Sequence, residues 1–184
     1  LSDLVHAREV PEFGVVAIRQ GPEVGADSVR DLHEVGCVAR VVHAAPLGDG
    51  RYLVLSTGQQ RFHLDALADG AGTAYLTGEV TVLEERTGDA EEVARLAQRL
   101  RRALGAYART VGAEEPDWPA GAVDLSHAVG AAVGLDLGDR QRLLAAEDTE
   151  TRLRLGVRLV HRERQLASTL GVVPPAQEHG YNPN

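Results

Sequence analysis

The chain has 184 residues, of which 43% are hydrophobic and 25% are charged, and its formal net charge is −8. This length and apolar content can fill the core of one large domain or two small ones. The negative charge argues against nucleic-acid binding, because a surface that binds nucleic acid must be positive to neutralise phosphates.

Two residue counts exclude whole classes of chemistry. The single cysteine, Cys37, rules out an internal disulfide and any CxxC zinc or redox pair. All 19 basic residues are arginine, so the chain has no lysine for a phosphate-binding loop, a Ser/Lys peptidase dyad or a Schiff base. We therefore predict a protein without enzymatic activity, cofactor or metal.

The hydropathy pattern argues against a membrane partner. A helix needs about 20 apolar residues to cross a bilayer, and apolar runs in this chain, such as residues 13–18, fall far short of that length. No charged segment followed by an apolar one opens the chain. We interpret the protein as cytoplasmic.

The first part of the chain predicts β-strands separated by tight turns. Residues 13–19 form a β-branched run typical of a strand buried on both faces, and a Leu-Gly-Asp-Gly turn at 47–50 predicts a hairpin. Five short segments have strand character: residues 13–19, 32–45, 52–55, 60–64 and 75–83. With no helix between them, these strands predict an antiparallel sheet or a small barrel.

After Gly88 the apolar period changes from that of strands to that of helices. Apolar residues recur every three or four positions from Val93 to Val111, which predicts one long amphipathic helix capped by Asp89. Three further helices are predicted, at about 120–133, from Asp136 to 144 and from Asp148 to 170.

This change of period defines the predicted domain organisation. We expect a β-domain over residues 1–86, a helical bundle over 87–174 and a tail over 175–184. The fold class is therefore α+β, with an antiparallel sheet first and helices second.

The segment Glu-Val-Gly-Cys-Val-Ala at 34–39 resembles the strand pattern Glu-[Ile/Val]-Gly-Thr-Val-Ala of Lon protease N-terminal domains, with Cys37 where threonine is usual. Other stretches resemble the same family in the same order: residues 13–16, 47–52, 60–62, 135–144 and 148–153. Each stretch alone is weak, but their order over 13–170 is specific.

The resemblance implies a PUA-like antiparallel β-pseudobarrel followed by a helical bundle, in a form that stands alone without ATPase or peptidase. It also implies a non-catalytic module that binds unfolded or exposed protein segments. A separate protease or a second copy of the chain is a further expected partner. The family's usual opening, a Pro-Leu-Phe-Pro strand and a Phe-Glu-Pro-Arg-Tyr helix, is absent here. We therefore expect a barrel whose first strand is missing from this sequence and whose edge is open. Either the missing strand exists in the full protein, or a partner chain supplies one.

Aromatic and arginine side chains are the candidates for substrate contact. On the barrel surface we expect Tyr52, Phe62, Tyr75, Arg40, Arg51 and Arg61. Trp118, in an acidic loop flanked by prolines, either anchors a partner or plugs the end of the helical bundle, and we favour the plug.

Three sets of residues have the types found in metal or hydrolase sites. They are Asp31 with His33 and Glu34, Asp124 with Ser126 and His127, and Ser56 with His63 and Asp65. In the first two sets, neighbouring side chains point in different directions on a strand or a helix. The third lacks the Gly-x-Ser-x-Gly elbow of hydrolases, so we interpret it as polar contacts across strands.

Two alternative functions stay open at this point. One is a peptidase or a protease-associated enzyme. The other is a PUA-like domain that binds RNA or a small ligand, which the acidic composition disfavours.

Overall fold

The computed structural model describes residues 11–19, 32–48, 51–68 and 75–170. The chain divides into two compact units, of which the first ends at Glu84 and the second begins at Glu85. The first contains a four-stranded antiparallel sheet and the second four α-helices, which confirms the α+β class. Within the described ranges, no helix combines the length and apolar character needed to span a membrane. The predicted tail over residues 175–184 lies outside these ranges. So do residues 1–10, at the end of the chain where the family's first strand was expected to be missing.

The sheet follows chain order. Its strands are β1 (Glu12–Val15), β2 (Val35–Pro46), β3 (Tyr52–Ala68) and β4 (Thr77–Val82), and each pairs antiparallel with the next. The predicted hairpin joins β2 to β3. Pro46 pairs with Tyr52 at its end, and the Leu47 N–H donates to the Arg51 carbonyl across 2.9 Å.

One strand replaces two predicted ones, because β3 runs without a break for 17 residues. We expected Gly58 to separate two strands, but it lies within the ladder opposite Ala39. Val38 pairs with Gln60, so Gln59 is an extra residue that the pair of strands absorbs as a bulge. Glycine is tolerated at such an irregularity and need not end the strand.

The expectation of a strand buried on both faces over 13–19 was wrong. The strand β1 ends at Val15, whose side chain is 49% exposed. The β-branched run therefore reflects strand propensity and not burial on both sides.

The helical unit, which begins at Glu85, contains four α-helices. They are α1 (Ala90–Val111), α2 (Ala122–Ala132), α3 (Leu137–Leu144) and α4 (Thr149–Leu170). The predicted caps are confirmed: Asp89, Asp136 and Asp148 each accept a hydrogen bond from the backbone N–H three residues on. At the start of each of these three helices, the cap thus satisfies one of the N–H groups that have no partner within the helix.

Leucine and valine side chains from all four helices form one core. Its most deeply buried apolar members are Leu100, Leu104, Leu125, Val129, Leu153 and Val160. Trp118 is partly buried and packs against this core, and its Nε1–H donates to Glu115 Oε1 at 3.3 Å.

A charged residue lies inside this apolar core. Arg152 on α4 is 0% exposed. Its Nη1 donates to Glu85 Oε1 at 2.8 Å and to Ser126 Oγ at 3.0 Å. Its Nε donates to the Leu143 carbonyl at 3.2 Å. A buried guanidinium is tolerated only when its donors are used and its charge is compensated.

Glu85 provides that compensation at the start of the unit. One of its oxygens also accepts from Thr149 Oγ1 at 3.1 Å, and the other lies 3.5 Å from His127 Nε2. The segment before α1 is thereby held against α2 and α4.

Asp139 forms a second buried ionic contact. Its carboxylate is 6% exposed and lies 2.9 Å from Arg142 Nη1 and 2.6 Å from Arg162 Nη2. Burial raises the pKa of Asp139, but Arg162 and Arg142 more than offset this effect and hold the pKa below its ordinary value of 3.8. The ionised form of Asp139 therefore ties α3 to α4.

Replacing Glu85 should expose the cost of an uncompensated buried charge. We expect Glu85→Gln to lower the free energy of unfolding by about 2 kcal/mol, because the Arg152 charge loses its carboxylate. The double variant Glu85→Gln with Arg152→Met should lose less than the sum of the single variants. The fluorescence of Trp118 during urea unfolding reports on this unit.

A matched control removes an acid from an exposed ion pair. Glu147 lies 3.6 Å from Arg86, and both side chains are largely exposed. Glu147→Gln should change stability by less than about 0.5 kcal/mol. Equal losses for Glu85→Gln and Glu147→Gln would show that Arg152 does not depend on Glu85.

The lowered pKa of Asp139 predicts a pH dependence. Because the folded-state pKa lies below 3.8, the ion pairs contribute fully above pH 3.8 and are lost as the pH falls through the folded pKa. The wild type should therefore be more stable than Asp139→Asn near neutral pH, and this difference should shrink below pH 3.8. The control is Arg158→Gln, which replaces an exposed arginine of α4. The difference in stability between this variant and the wild type should not shrink below pH 3.8. A difference for Asp139→Asn that is constant with pH would contradict the prediction.

Candidate functional site

An apolar groove of about 510 Å³ opens on one face of the sheet. Almost all of its lining is apolar: Gly14, Val16, Ile18, Leu32, Val38, Phe62, Leu64, Leu67, Leu76, Thr77, Gly78 and Val80. A groove of this size lies within the roughly 300–1,000 Å³ typical of ligand pockets.

Phe62 forms the floor of the groove. It lies on β3 opposite Gly36 of β2, and its side chain is 3% exposed. A Cβ atom at Gly36 would stand 2.5 Å from Phe62 Cζ and 2.7 Å from the Val15 carbonyl oxygen. A Cβ atom at Gly14 would stand 3.3 Å from the same ring carbon. Glycine on the two neighbouring strands thus makes room for the ring.

A bulge brings one further leucine into the groove. Leu64 pairs with Val80 and Ala66 with Glu79, so Asp65 is an extra residue in β3. Side chains alternate between the two faces of a strand, so Leu64 and Leu67 would otherwise lie on opposite faces. The extra residue places both along the groove.

The rim of the groove is apolar and open to solvent. Leu76 is 67% exposed and Val80 is 46% exposed, and Leu67 is also exposed. In the described sheet, β4 pairs with β3 on one side only. An edge strand beside an apolar groove offers backbone hydrogen bonds as well as apolar contact.

The opposite face of the same strands is polar. His63 Nδ1 lies 3.0 Å from Asp65 Oδ1, and Thr81 Oγ1 donates to Asp65 Oδ2 at 2.8 Å. The hydrogen bonds from Thr81 and then His63 lower the pKa of Asp65. The polar face carries charge and the groove face does not. The groove therefore lies on the face suited to apolar ligands.

Two of the predicted contact residues lie at the groove. Phe62 is its floor, although we expected it at the surface. Tyr75 is exposed and precedes the rim residue Leu76. Arg61 is buried and, as the neighbour of Phe62 on a strand, points to the opposite face.

The other predicted contact residues lie elsewhere. Tyr52 and Arg51 are at the tip of the β2–β3 hairpin, ten positions or more along β3 from Phe62. Arg40 pairs with Glu12 across β1 and β2, with 2.7 Å between Nη2 and Oε1. Trp118 belongs to the helical unit, where it packs against the core.

Of the twelve residues that line the groove, the sequence predicted Phe62 alone as a contact residue, and the missed ones include Leu64, Leu67, Leu76 and Val80. A signal for Leu64 was present, because it alternates with Phe62 in the sequence. The bulge at Asp65 carries no comparable signal, so the sequence does not align Leu67 with Phe62 and Leu64.

The sets considered for catalysis or metal binding have structural explanations. Ser126 is buried, and its hydroxyl donates to the Val123 carbonyl at 2.6 Å and accepts from Arg152. Ser56 was expected on a strand beside His63, but both lie on β3, seven positions apart and thus roughly 23 Å along the strand. Asp31 lies outside the described residues, and no cluster of three acidic, histidine or cysteine side chains among the described ones could hold a metal ion.

Known proteins match this chain over most of its length. The model of the ATP-dependent protease La (LON) substrate-binding domain family matches residues 1–162. Lon protease 2 of Myxococcus xanthus is 28% identical over 147 residues, which are 74% of this chain and 17% of that protein. Lon protease 4 of Sorangium cellulosum is 39% identical over 112 residues, which are 61% of this chain and 13% of that protein.

A solved structure shares the fold. The N-terminal domain of a Lon protease from the Mycobacterium avium complex has a TM-score of 0.57 and 17% identity, over 83% of this chain and 90% of that one. This chain spans less than a fifth of the length of these two curated relatives. Because the family model covers most of its residues, the chain belongs to the family of ATP-dependent protease La (Lon) substrate-binding domains.

Proposed function

We propose that this chain binds exposed apolar segments of other polypeptides and does not cleave them. The observation that carries this proposal is the apolar groove on the sheet, with its open rim at Leu67, Leu76 and Val80. Apolar surface in water is unfavourable by roughly 25 cal/mol for each Å², so covering this rim with a ligand is favourable.

The edge strand β4 supports an extended conformation for the bound segment. A segment that adds to the side of β4 that pairs with no other described strand receives backbone hydrogen bonds, and every second side chain then lies on the groove face beside Val80. This mode selects for apolar residues at alternate positions. It makes few demands on the remaining positions, which suits a module that accepts many polypeptides.

The family supports the absence of cleavage. The matched region is the substrate-binding domain, and the chain has no lysine for a Ser/Lys dyad or a phosphate-binding loop. A separate protease or a second copy of the chain as partner, and a cytoplasmic location, stay predictions.

Charges placed on the rim should weaken binding. We expect Leu76→Asp and Val80→Asp each to reduce affinity for a reduced, carbamidomethylated model protein by about tenfold, because a carboxylate is costly to bury against apolar groups. Fluorescence anisotropy of the labelled model protein gives the dissociation constants.

Leu137→Asp is the matched control. Leu137 is also exposed, but it lies in the first turn of α3, where an acidic residue is favourable. We expect its affinity to equal that of the wild type. If the wild type does not bind the unfolded protein, or if all three variants weaken binding equally, the groove is not the binding site.

Incubation with casein, with and without ATP, tests the second half of the proposal. We expect no cleavage by the purified chain. Time-dependent cleavage that follows the protein through purification would establish the alternative of a peptidase.

A further inference from the structure

A cleft in the helical unit has basic walls. About 510 Å³ of space lies between α1 and α4. Arg99 and Arg102 line it from α1, and His161 and Arg164 line it from α4. The small side chains of Ala103 and Ala106 leave room between them.

The arginines of this cleft lack the acidic partners that several other arginines of the same two helices have. Arg95 pairs with Glu92, Arg154 with Glu92 and Glu150, and Arg162 with Glu163 and Asp139. Across the described ranges, no carboxylate lies within ion-pair distance of Arg99, Arg102 or Arg164. Arg102 Nε donates to the Gln98 carbonyl at 3.3 Å.

The helix sequences explain this lack of carboxylates. Residues three and four positions apart are neighbours on a helix surface. The positions at this spacing from the four basic residues of the cleft carry only neutral or basic side chains: Arg95, Leu96, Gln98, Ala103, Gly105, Ala106, Val157, Arg158, Val160, Gln165, Ala167 and Ser168. The positive patch is therefore built into both helices, although the chain has a net charge of −8.

A neighbouring cleft contains a carboxylate of the chain itself. It measures about 480 Å³, shares Arg102 with the first cleft, and is also lined by Arg101, Gly105, Arg109 and Glu115. A Cβ atom at Gly105 would stand 2.7 Å from Glu115 Oε2, so glycine lets this carboxylate approach α1 closely. Glu115 thus lies among arginines in this neighbouring cleft, whereas no described acidic residue lines the cleft between α1 and α4.

We propose that the cleft between α1 and α4 binds a carboxylate-rich segment of a partner polypeptide. Arginine guanidinium groups match carboxylates in geometry as well as charge. A short acidic segment places its charges only over the patch, whereas a long nucleic acid would extend beyond the patch over a chain whose net charge is −8. This site is in the helical unit and goes beyond the proposed apolar groove of the sheet unit.

The test uses the full chain and a fluorescein-labelled oligoglutamate peptide at low salt. We expect the wild type to bind the peptide and the double variant Arg99→Gln with Arg164→Gln to bind about fivefold more weakly. The control is Arg95→Gln with Arg154→Gln, which removes the same charge from the same helices. Its affinity should stay within about twofold of the wild type. Circular dichroism verifies that each variant is folded.

Several outcomes would overturn the proposal. They are an absence of peptide binding by the wild type, equal losses for the two double variants, and stronger competition by a single-stranded oligonucleotide than by unlabelled oligoglutamate. The apolar groove is tested separately, because the arginine variants should bind the carbamidomethylated protein, whose capped cysteines add no carboxylates, as the wild type does. The failure of one site is thus distinguishable from the failure of the other.

Discussion

The guanidinium group of Arg152 is fully buried, and the helical unit is arranged around the need to satisfy it. Its partners come from separate parts of the unit: Glu85 before α1, Ser126 on α2, and carbonyl groups at the end of α3 and just beyond it. An apolar side chain in the same place could pack against many neighbours, whereas the arginine accepts only this arrangement. We infer that the buried ionic contact specifies which helix ends meet.

The sheet unit follows a different principle. Its described residues bury few side chains, and many of its apolar side chains line a groove or lie at the surface. The glycines opposite Phe62 and the bulge at Asp65 shape that groove. The helical unit covers its apolar residues with its own helices, but the sheet unit leaves a surface that a partner can cover. This contrast supports the sheet unit as the location of the proposed apolar recognition site.

Charge is distributed unevenly over the helical unit as well. Five of the twelve arginines of its helices form ion pairs with acids that the structure describes: Arg95, Arg142, Arg152, Arg154 and Arg162. The lowered pKa of Asp139 reflects two of these contacts. The arginines that line the cleft, Arg99, Arg102 and Arg164, are not among the five. The proposed apolar groove and the proposed basic cleft thus belong to separate units of one chain.

The sequence alone determined the α+β class, the caps of the helices and the family, because each depends on local periodicity or on short motifs. It placed Phe62 among the contact residues but did not assign it to the floor of the groove. Tertiary structure alone decided that β3 is continuous through Gly58, that Leu64 and Leu67 share a face, and that Glu85 meets Arg152. The physical reason is that a bulge depends on the partner strand and a buried ion pair joins residues far apart in the chain, so neither is visible in a local pattern.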